Sequence, residues 1–231
     1  MSKNVLSSDS VVTSTLETED LHKNLKKLFE LEFYDGVTGI TLNIGNFKWG
    51  VYAFFDYDGE PIYVGQTNEK LRTRIRRHLT NQRTDAVAMS VLDPFEVYEI
   101  EVWPLPQFEN AKSSDNHAKD HLNALEFAVH EKLIRQSHFN AVLNEKNPPR
   151  PKVPVSIPNS LRRKVVSDEV YNIRSHPDFR IARRALTVAR LAQVISERKV
   201  KPDLRRVLLT QAKRLQWLTE RRFIASKSDN K

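Results

Sequence analysis

The chain of 231 residues carries a formal net charge of +8, and 39% of its residues are hydrophobic, which suffices for a sizeable core in one or two domains. It contains no cysteine, so disulfides and cysteine-based zinc sites are excluded. A reducing, cytoplasmic setting fits this composition. No run is apolar enough for a signal peptide or a membrane span, so we expect a soluble intracellular protein.

The positive charge is concentrated in the last third of the chain. Residues 151–231 contain 20 Lys and Arg against 7 Asp and Glu, whereas residues 1–150 contain 17 bases and 22 acids. An excess of bases this large favours a polyanionic partner, with nucleic acid ahead of a membrane surface because no apolar anchor accompanies it. A charged, solvated helical bundle is the alternative interpretation.

The first predicted helix follows a Ser/Thr-rich stretch. We expect residues 1–18 to be disordered and Thr18 to cap a helix that runs to about Phe33. Asp35-Gly36 ends this helix, and residues 40–50 alternate as in a short extended element. The apolar stripe of the helix consists of Leu21, Leu25, Leu28 and Phe29.

A β-hairpin followed by a basic helix is the next predicted unit. Two β-rich runs at 51–55 and 61–64 flank the turn signal Asp58-Gly59. The acidic side chains around this turn, Asp56, Asp58 and Glu60, are expected to serve the turn. Beyond the hairpin, helices are predicted over 68–81, 85–92 and 118–136, and a strand over 95–103.

Prolines at positions 148, 149, 151, 154 and 158 predict a stiff linker after these elements. The pattern beyond the linker is helical and basic, with helices expected over 160–174, 179–199 and 202–224. We therefore divide the chain into an N-terminal tail and helix, a central module, a linker and a basic helical domain that binds nucleic acid. Their bounds are 1–47, 48–145, 146–159 and 160–231.

Two polar side chains of the helix at 68–81 are predicted to face the sheet. At about 100° per residue, Arg74 and His78 fall within or beside the apolar arc of the helix, whereas its other arginines fall outside it. Their desolvation requires partners or a substrate phosphate. The alternative is an arginine at the helix edge and a histidine satisfied by the backbone.

A carboxylate stands among aliphatic residues on the helix at 118–136. Glu126 lies at the centre of an apolar arc formed with Leu122, Val129 and Leu133, whereas Glu131 falls on the solvent-facing side of the helix. A carboxylate in such surroundings needs a partner, and a metal ion or Arg74 would supply it. Glu126 is therefore the candidate metal ligand, with Glu131 as the alternative.

These residues resemble the GIY-YIG nuclease family. Gly50-Val51-Tyr52 matches the first tripeptide of the family and Tyr63-Val64-Gly65 the second, with ten residues between them. Arg74 matches the helix arginine of the family, and His78 a histidine of one subset. Glu126 matches the metal-binding glutamate, and Asn140 resembles the asparagine that often closes the module. The resemblance covers about residues 48–145 and implies an α/β (α+β) module with a three-stranded, mainly antiparallel sheet.

The resemblance implies an Mg²⁺-dependent DNA endonuclease, with Mn²⁺ as a substitute ion. Tyr52 would assist the attack of water, Tyr63 would position water or phosphate, Arg74 would stabilise the phosphate, His78 would support Tyr52, and Glu126 would hold the metal. The implied substrate-binding residues are Gly50, Gly65, Arg72, Arg77 and Asn140.

Two other classes of protein remain open from the sequence. One is a catalytically inactive DNA-binding or regulatory protein on a nuclease fold, and the other is an RNA-directed nuclease, since the phosphate chemistry is shared. Double-strand cleavage by one active site would favour a dimer, whereas the sequence itself indicates no oligomeric state.

Overall fold

A computed structural model describes residues 8–79, 92–197, 199–200 and 202–228, with side chains from Glu17 onward. Six α-helices lie in these residues: α1 (Ser8–Glu30), α2 (Leu71–Leu79), α3 (Asn116–Gln136), α4 (Asp168–Arg174), α5 (Pro177–Glu197) and α6 (Pro202–Ser228). The strands there are β1 (Glu32–Tyr34), β2 (Thr41–Asn43), β3 (Gly50–Phe55), β4 (Pro61–Thr67), β5 (Glu99–Pro104) and β6 (Leu161–Lys164). None of the helices in this part of the chain is both long and apolar enough to span a bilayer.

A four-stranded antiparallel sheet forms the centre of the fold, and its strand order is β4-β3-β5-β6. Strand β3 pairs with a neighbour on each side, and all of its residues are buried. Because side chains alternate along a strand, Tyr52 and Phe54 point to one face of the sheet and Val51 and Ala53 to the other. The short strands β1 and β2 pair separately as a two-stranded ribbon.

Helices cover both faces of the central sheet. Helix α3 packs on one face through Leu122, Leu125, Val129 and Leu133. The apolar residues of α1, α2, α5 and α6 belong to the core on the other face, together with Tyr52 and Phe54. Residues from α2 and residues from α3 therefore approach the paired strands β3 and β4 from opposite sides.

The predicted mixed α/β class is confirmed, and the sheet contains the three strands predicted for residues 48–145 and a fourth strand from beyond them. Residues 161–164, where a helix was expected to begin, form β6 and pair with β5 in the register Val102↔Leu161. The unpaired edge of β5 supplies backbone hydrogen bonds that local helix propensity cannot offset. The following helix α4 begins after Ser167, whose hydroxyl accepts a hydrogen bond from the Val170 N–H.

The predictions for the N-terminal region are partly wrong. Helix α1 already begins at Ser8, so Thr18 lies within the helix and residues 8–18 are ordered. The predicted apolar stripe is confirmed, because Leu21, Leu25, Leu28 and Phe29 are all buried. The helix predicted over 85–92 lies outside the described residues apart from Leu92.

A buried ionic cluster joins the C-terminal helices to the β3–β4 hairpin. Asp56, which follows β3 and is fully buried, accepts hydrogen bonds from the backbone N–H groups of Asp58 and Glu60 at 2.8 and 3.0 Å. The same carboxylate accepts hydrogen bonds from Arg184 of α5, at 2.6 Å, and from Arg214 of α6. We call this set the Asp56 cluster; it comprises Asp56, Asp58, Glu96, Arg180, Arg184 and Arg214.

The Asp56 cluster changes the interpretation of the charge asymmetry. The expected role of the acidic residues in the turn is confirmed for Asp56, but the same side chain also neutralises arginines of the basic region. Other arginines beyond residue 151 also contact carboxylates of the N-terminal part: Arg162 with Glu99, Arg174 with Glu17, and Arg183 with Asp93. Much of the positive charge in the last third therefore balances negative charge within the protein.

Replacing Asp56 by Asn should be severely destabilising. The substitution removes the carboxylate that pairs with buried Arg214 and leaves Arg184 with Glu96, which costs about 3–5 kcal/mol of the free energy of unfolding. Urea unfolding followed by circular dichroism measures this loss. Asp178→Asn is the matched control because its ion pair with Arg222 is exposed, so its unfolding midpoint should hardly move. Equal midpoints for both variants would refute the structural role of Asp56.

Candidate active site

Tyr52 and Gly65 face each other across strands β3 and β4, as partners in the antiparallel register. A Cβ atom at position 65 would lie 2.7 Å from the Tyr52 hydroxyl oxygen and 2.7 Å from Cε1 of Tyr63. No side chain fits between these two rings, so a glycine is required where the two motif tyrosines converge. The two tripeptides singled out in the sequence thus form one structural unit.

His78 brings helix α2 into contact with the two tyrosines. Leu71, Ile75 and Leu79 bury one face of the helix, and His78 lies on that face and is buried too. Its ring centroid is 4.9 Å from that of Tyr63 and 5.7 Å from that of Tyr52. The His78 Nε2 atom and the Tyr52 hydroxyl oxygen are 3.3 Å apart, within hydrogen-bonding distance.

Arg74, one turn before His78, lies between the tyrosines and an open cleft. Its guanidinium group hydrogen-bonds Tyr52, while its Nε atom is buried with no hydrogen-bond partner among the described residues. Burial alone would lower the pKa of Arg74, but Tyr52, Tyr63 and Glu69 outweigh it and raise the pKa above its ordinary value. The cleft has a volume of ≈ 340 Å³ and is lined by Gln66, Thr67, Asn68, Glu69, Arg74, Lys119, Leu122 and Asn123.

Glu126 of α3 faces Arg74 from the opposite side. Burial raises the pKa of Glu126 from 4.5 to about 7, although the positive charge of Arg74 acts in the other direction. The two side chains form no ion pair within 4.0 Å. A half-buried carboxylate without an ion-pair partner among the described residues is costly, so this site fits an additional cation or a protonated acid. Glu131, the alternative metal ligand, instead lies 4.0 Å from Arg135 on the same helix.

The other predicted substrate-binding residues have structural partners. The Arg72 Nε atom donates to the Gly45 carbonyl oxygen at 3.2 Å, and its Nη2 atom donates to Asn46. Arg77 forms an ion pair with Glu69 at the rim of the cleft. A Cβ atom at Gly50 would lie 2.8 Å from the Trp103 carbonyl oxygen, so this glycine allows β3 and β5 to pack.

Asn144, which the sequence analysis missed, hydrogen-bonds the edge of β4, and the substrate-binding role of Asn140 stays a prediction. Asn140 is exposed after α3, and its φ of 49° lies in the left-handed region. The Asn144 side chain is buried, accepts a hydrogen bond from the Val64 N–H at 2.9 Å and donates one to the Val64 carbonyl oxygen at 2.7 Å. It therefore substitutes for a neighbouring strand at the edge of β4. In the sequence, the apolar residues Val142 and Leu143 directly before Asn144 are the feature that favours this asparagine over Asn140 as a buried residue.

Helix α6 holds this asparagine in place. Arg206 donates hydrogen bonds to the backbone carbonyl oxygens of Asn144, at 2.9 Å, and Val142, at 3.4 Å. The C-terminal region thus contacts the second tripeptide through Asn144 as well as the turn through Asp56.

Residues 48–126 match the family model of the GIY-YIG catalytic domain. The chain contains a GIY-YIG domain. The match includes both tripeptides, Arg74 and His78, and it ends at Glu126. Neither a curated protein nor a solved structure matched the chain. A GIY-YIG domain implies a nuclease-type function and a nucleic-acid substrate, and nucleases of this family commonly use divalent metals.

Glu126→Gln should stabilise the protein above neutral pH. Because burial raises the pKa of Glu126 from 4.5 to about 7, the folded protein binds this proton more tightly than the unfolded chain does. The free energy of unfolding of the wild type therefore falls as the pH rises through this window. The Glu126→Gln variant has no carboxyl group to ionise. Its free energy of unfolding should therefore exceed that of the wild type by about 2–3 kcal/mol at pH 8 and equal it at pH 4.

Urea unfolding at pH 4, 6 and 8 in EDTA measures this difference between wild type and variant. Glu131→Gln serves as the control, since it removes the same charge from a more exposed position of the same helix. A difference between wild type and Glu126→Gln that does not change with pH would contradict the raised pKa.

Proposed function

We propose that this chain is a cytosolic, Mg²⁺-dependent endonuclease that hydrolyses DNA phosphodiester bonds. The observation that supports this proposal is the convergence of Tyr52, Tyr63 and His78 behind Arg74, which lines an open cleft, with Glu126 facing Arg74. Hydrolysis needs an activated water, stabilisation of the developing charge on the phosphate and help for the leaving oxygen.

Tyr52 acts as the general base that removes a proton from the attacking water. A phenol is a weak base unless its own proton has an acceptor, and the His78 Nε2 atom at 3.3 Å provides one. The Arg74 guanidinium group, hydrogen-bonded to Tyr52, stabilises negative charge on the phenolic oxygen. Tyr63, in ring contact with His78, orients the water or the phosphate.

Arg74 also binds the phosphate whose bond is broken. Its Nε–H has no partner among the described residues, and a guanidinium group matches the geometry of phosphate oxygens. The cleft beside it provides access for the substrate. Arg72 and Arg77 contribute less because Asn46 and Glu69 already engage their side chains.

Glu126 holds the divalent ion. The described residues include no group of three or more His, Cys, Asp or Glu side chains that could form a metal centre. One carboxylate fits Mg²⁺ or Mn²⁺, because Mg²⁺ keeps several waters and takes further ligands from the phosphate. A bound divalent ion neutralises charge on the phosphate and makes its water more acidic. The carboxylate has no ion pair within 4.0 Å that the ion would have to displace.

Nicking of supercoiled plasmid in the presence of Mg²⁺ tests the proposal. Tyr52→Phe should reduce the rate by roughly 10²–10⁴-fold because the general base is lost. Arg74→Ala should reduce it by roughly 10²–10³-fold because the developing charge loses its donor. Glu126→Gln should abolish the dependence of the rate on Mg²⁺ concentration.

Two matched variants control for loss of folding and for contamination. Tyr34→Phe removes the same hydroxyl from an exposed tyrosine, and Glu131→Gln removes the same charge from another position of α3. Both should nick the plasmid at the rate of the wild type. Equal nicking by all variants would identify a contaminating nuclease. Absence of cleavage of plasmid, branched DNA and RNA by the wild type would instead indicate a nucleic-acid-binding protein without activity.

A further inference from the structure

A second groove adjoins the reaction cleft on the α3 side of the molecule. It has a volume of ≈ 500 Å³ and runs between α3 and the proline-rich segment. Asn123 lines both cavities, so the groove and the cleft meet at this residue. The Asn123 side-chain oxygen accepts a hydrogen bond at 2.8 Å from Gln66 of β4. The two cavities therefore lie side by side, with Asn123 in the wall of both.

The proline-rich segment forms a fixed wall of this groove. Val155 and Ile157 pack against the apolar core beneath α3. Pro149, Arg150, Pro151, Lys152 and Val153 line the groove opposite His117, Asp120 and His121 of α3. The segment expected to be a linker between domains thus contributes a surface next to the candidate active site.

Three cations that line the two cavities are available for a ligand. Among the described residues, Lys119, Arg150 and Lys152 form no ion pair with a carboxylate within 4.0 Å. Arg150 and Lys152 are also exposed. Many arginines of the C-terminal helices, in contrast, contact carboxylates; they include Arg174, Arg180, Arg183, Arg184 and Arg214. Phosphate groups therefore find positive charge outside ion pairs at Lys119 in the cleft and at Arg150 and Lys152 in the groove.

We propose that one strand of the nucleic acid leaves the reaction cleft across Asn123 and lies in this groove, with its phosphates bound by Lys119, Arg150 and Lys152. This proposal depends on the proposed nuclease function, because that function places the reacting phosphate of the strand at Arg74. A groove walled on both sides holds one sugar–phosphate backbone, whereas a duplex needs an open surface. Asp120 is the acidic side chain that lines the groove, against Arg150 and Lys152 there, and Glu69, which lines the cleft with Lys119, is already paired with Arg77.

The rest of the groove lining suits unpaired nucleotides. The imidazole rings of His117 and His121 line the groove, and each packs against Phe108 in a T-shaped arrangement that leaves ring surface on which a base can stack. Proline rings and Val153 provide apolar contact for sugars and bases. Contacts of this kind do not depend on sequence, so the groove would bind a single strand with little sequence preference.

Binding of fluorescein-labelled oligothymidine, measured by fluorescence anisotropy in EDTA, tests the groove without cleavage. The double variant Arg150→Glu/Lys152→Glu should weaken binding at least roughly tenfold and reduce the slope of log K against log salt by roughly 1.4, since two phosphate contacts are lost. A labelled duplex of the same length should lose less affinity than the single strand.

Arg205→Glu/Lys213→Glu is the matched control, because it makes the same charge change at exposed positions of α6. It should weaken oligothymidine binding much less than the groove variant. Equal losses for both variants, an unchanged affinity of the groove variant, or no binding by the wild type would each overturn the proposal. Unfolding midpoints equal to that of the wild type show that both variants remain folded.

Plasmid nicking by the same proteins separates the two proposals. If the wild type nicks plasmid while the groove variant binds oligothymidine normally, the groove is refuted and the nuclease function stands. If binding depends on the groove but no nucleic acid is cleaved, the nuclease function is refuted and the groove stands.

Discussion

The fold depends on the fully buried carboxylate of Asp56. It closes the turn between β3 and β4 and binds arginines from two C-terminal helices. Removing charges from water is costly, and the mutual attraction of the partners offsets this cost only when each charge is paired. The hairpin that carries Tyr52 and Tyr63 is therefore fixed at its turn by helices that follow it by more than a hundred residues in the sequence.

A second connection from the C-terminal region fixes the other strand of the hairpin. Arg206 holds the backbone of Asn144, whose side chain in turn pairs with the edge of β4 at Val64. With both strands fixed, helix α2 can bring His78 and Arg74 against the tyrosines. Glu126 approaches from the other face of the sheet and remains without an ion pair within 4.0 Å. Rigid surroundings thus maintain a site whose own charges are incompletely balanced.

Sequence patterns predicted the parts of the site that depend on local periodicity. The apolar arcs of α2 and α3 correctly predicted that His78 is buried and that Glu126 is partly buried, and the turn signal located the hairpin. Strand β6 was missed because its pairing with β5 depends on an edge that no local pattern reveals. Asn144 was missed for a similar reason, since its partner Val64 is 80 residues away. Arg180, Arg184 and Arg214 have carboxylate partners that no sequence pattern reveals, whereas nucleic-acid binding by the C-terminal region stays a prediction.

The long separation between Asp56 and Arg214 also has a consequence for synthesis on the ribosome. The two residues are 158 positions apart, so the hairpin emerges long before α6 can reach it. Until then the Asp56 carboxylate can be hydrated, but it cannot join the C-terminal helices to the sheet. The Asp56 cluster is therefore completed only after α6 has been synthesised, long after the segment that contains the two tyrosines.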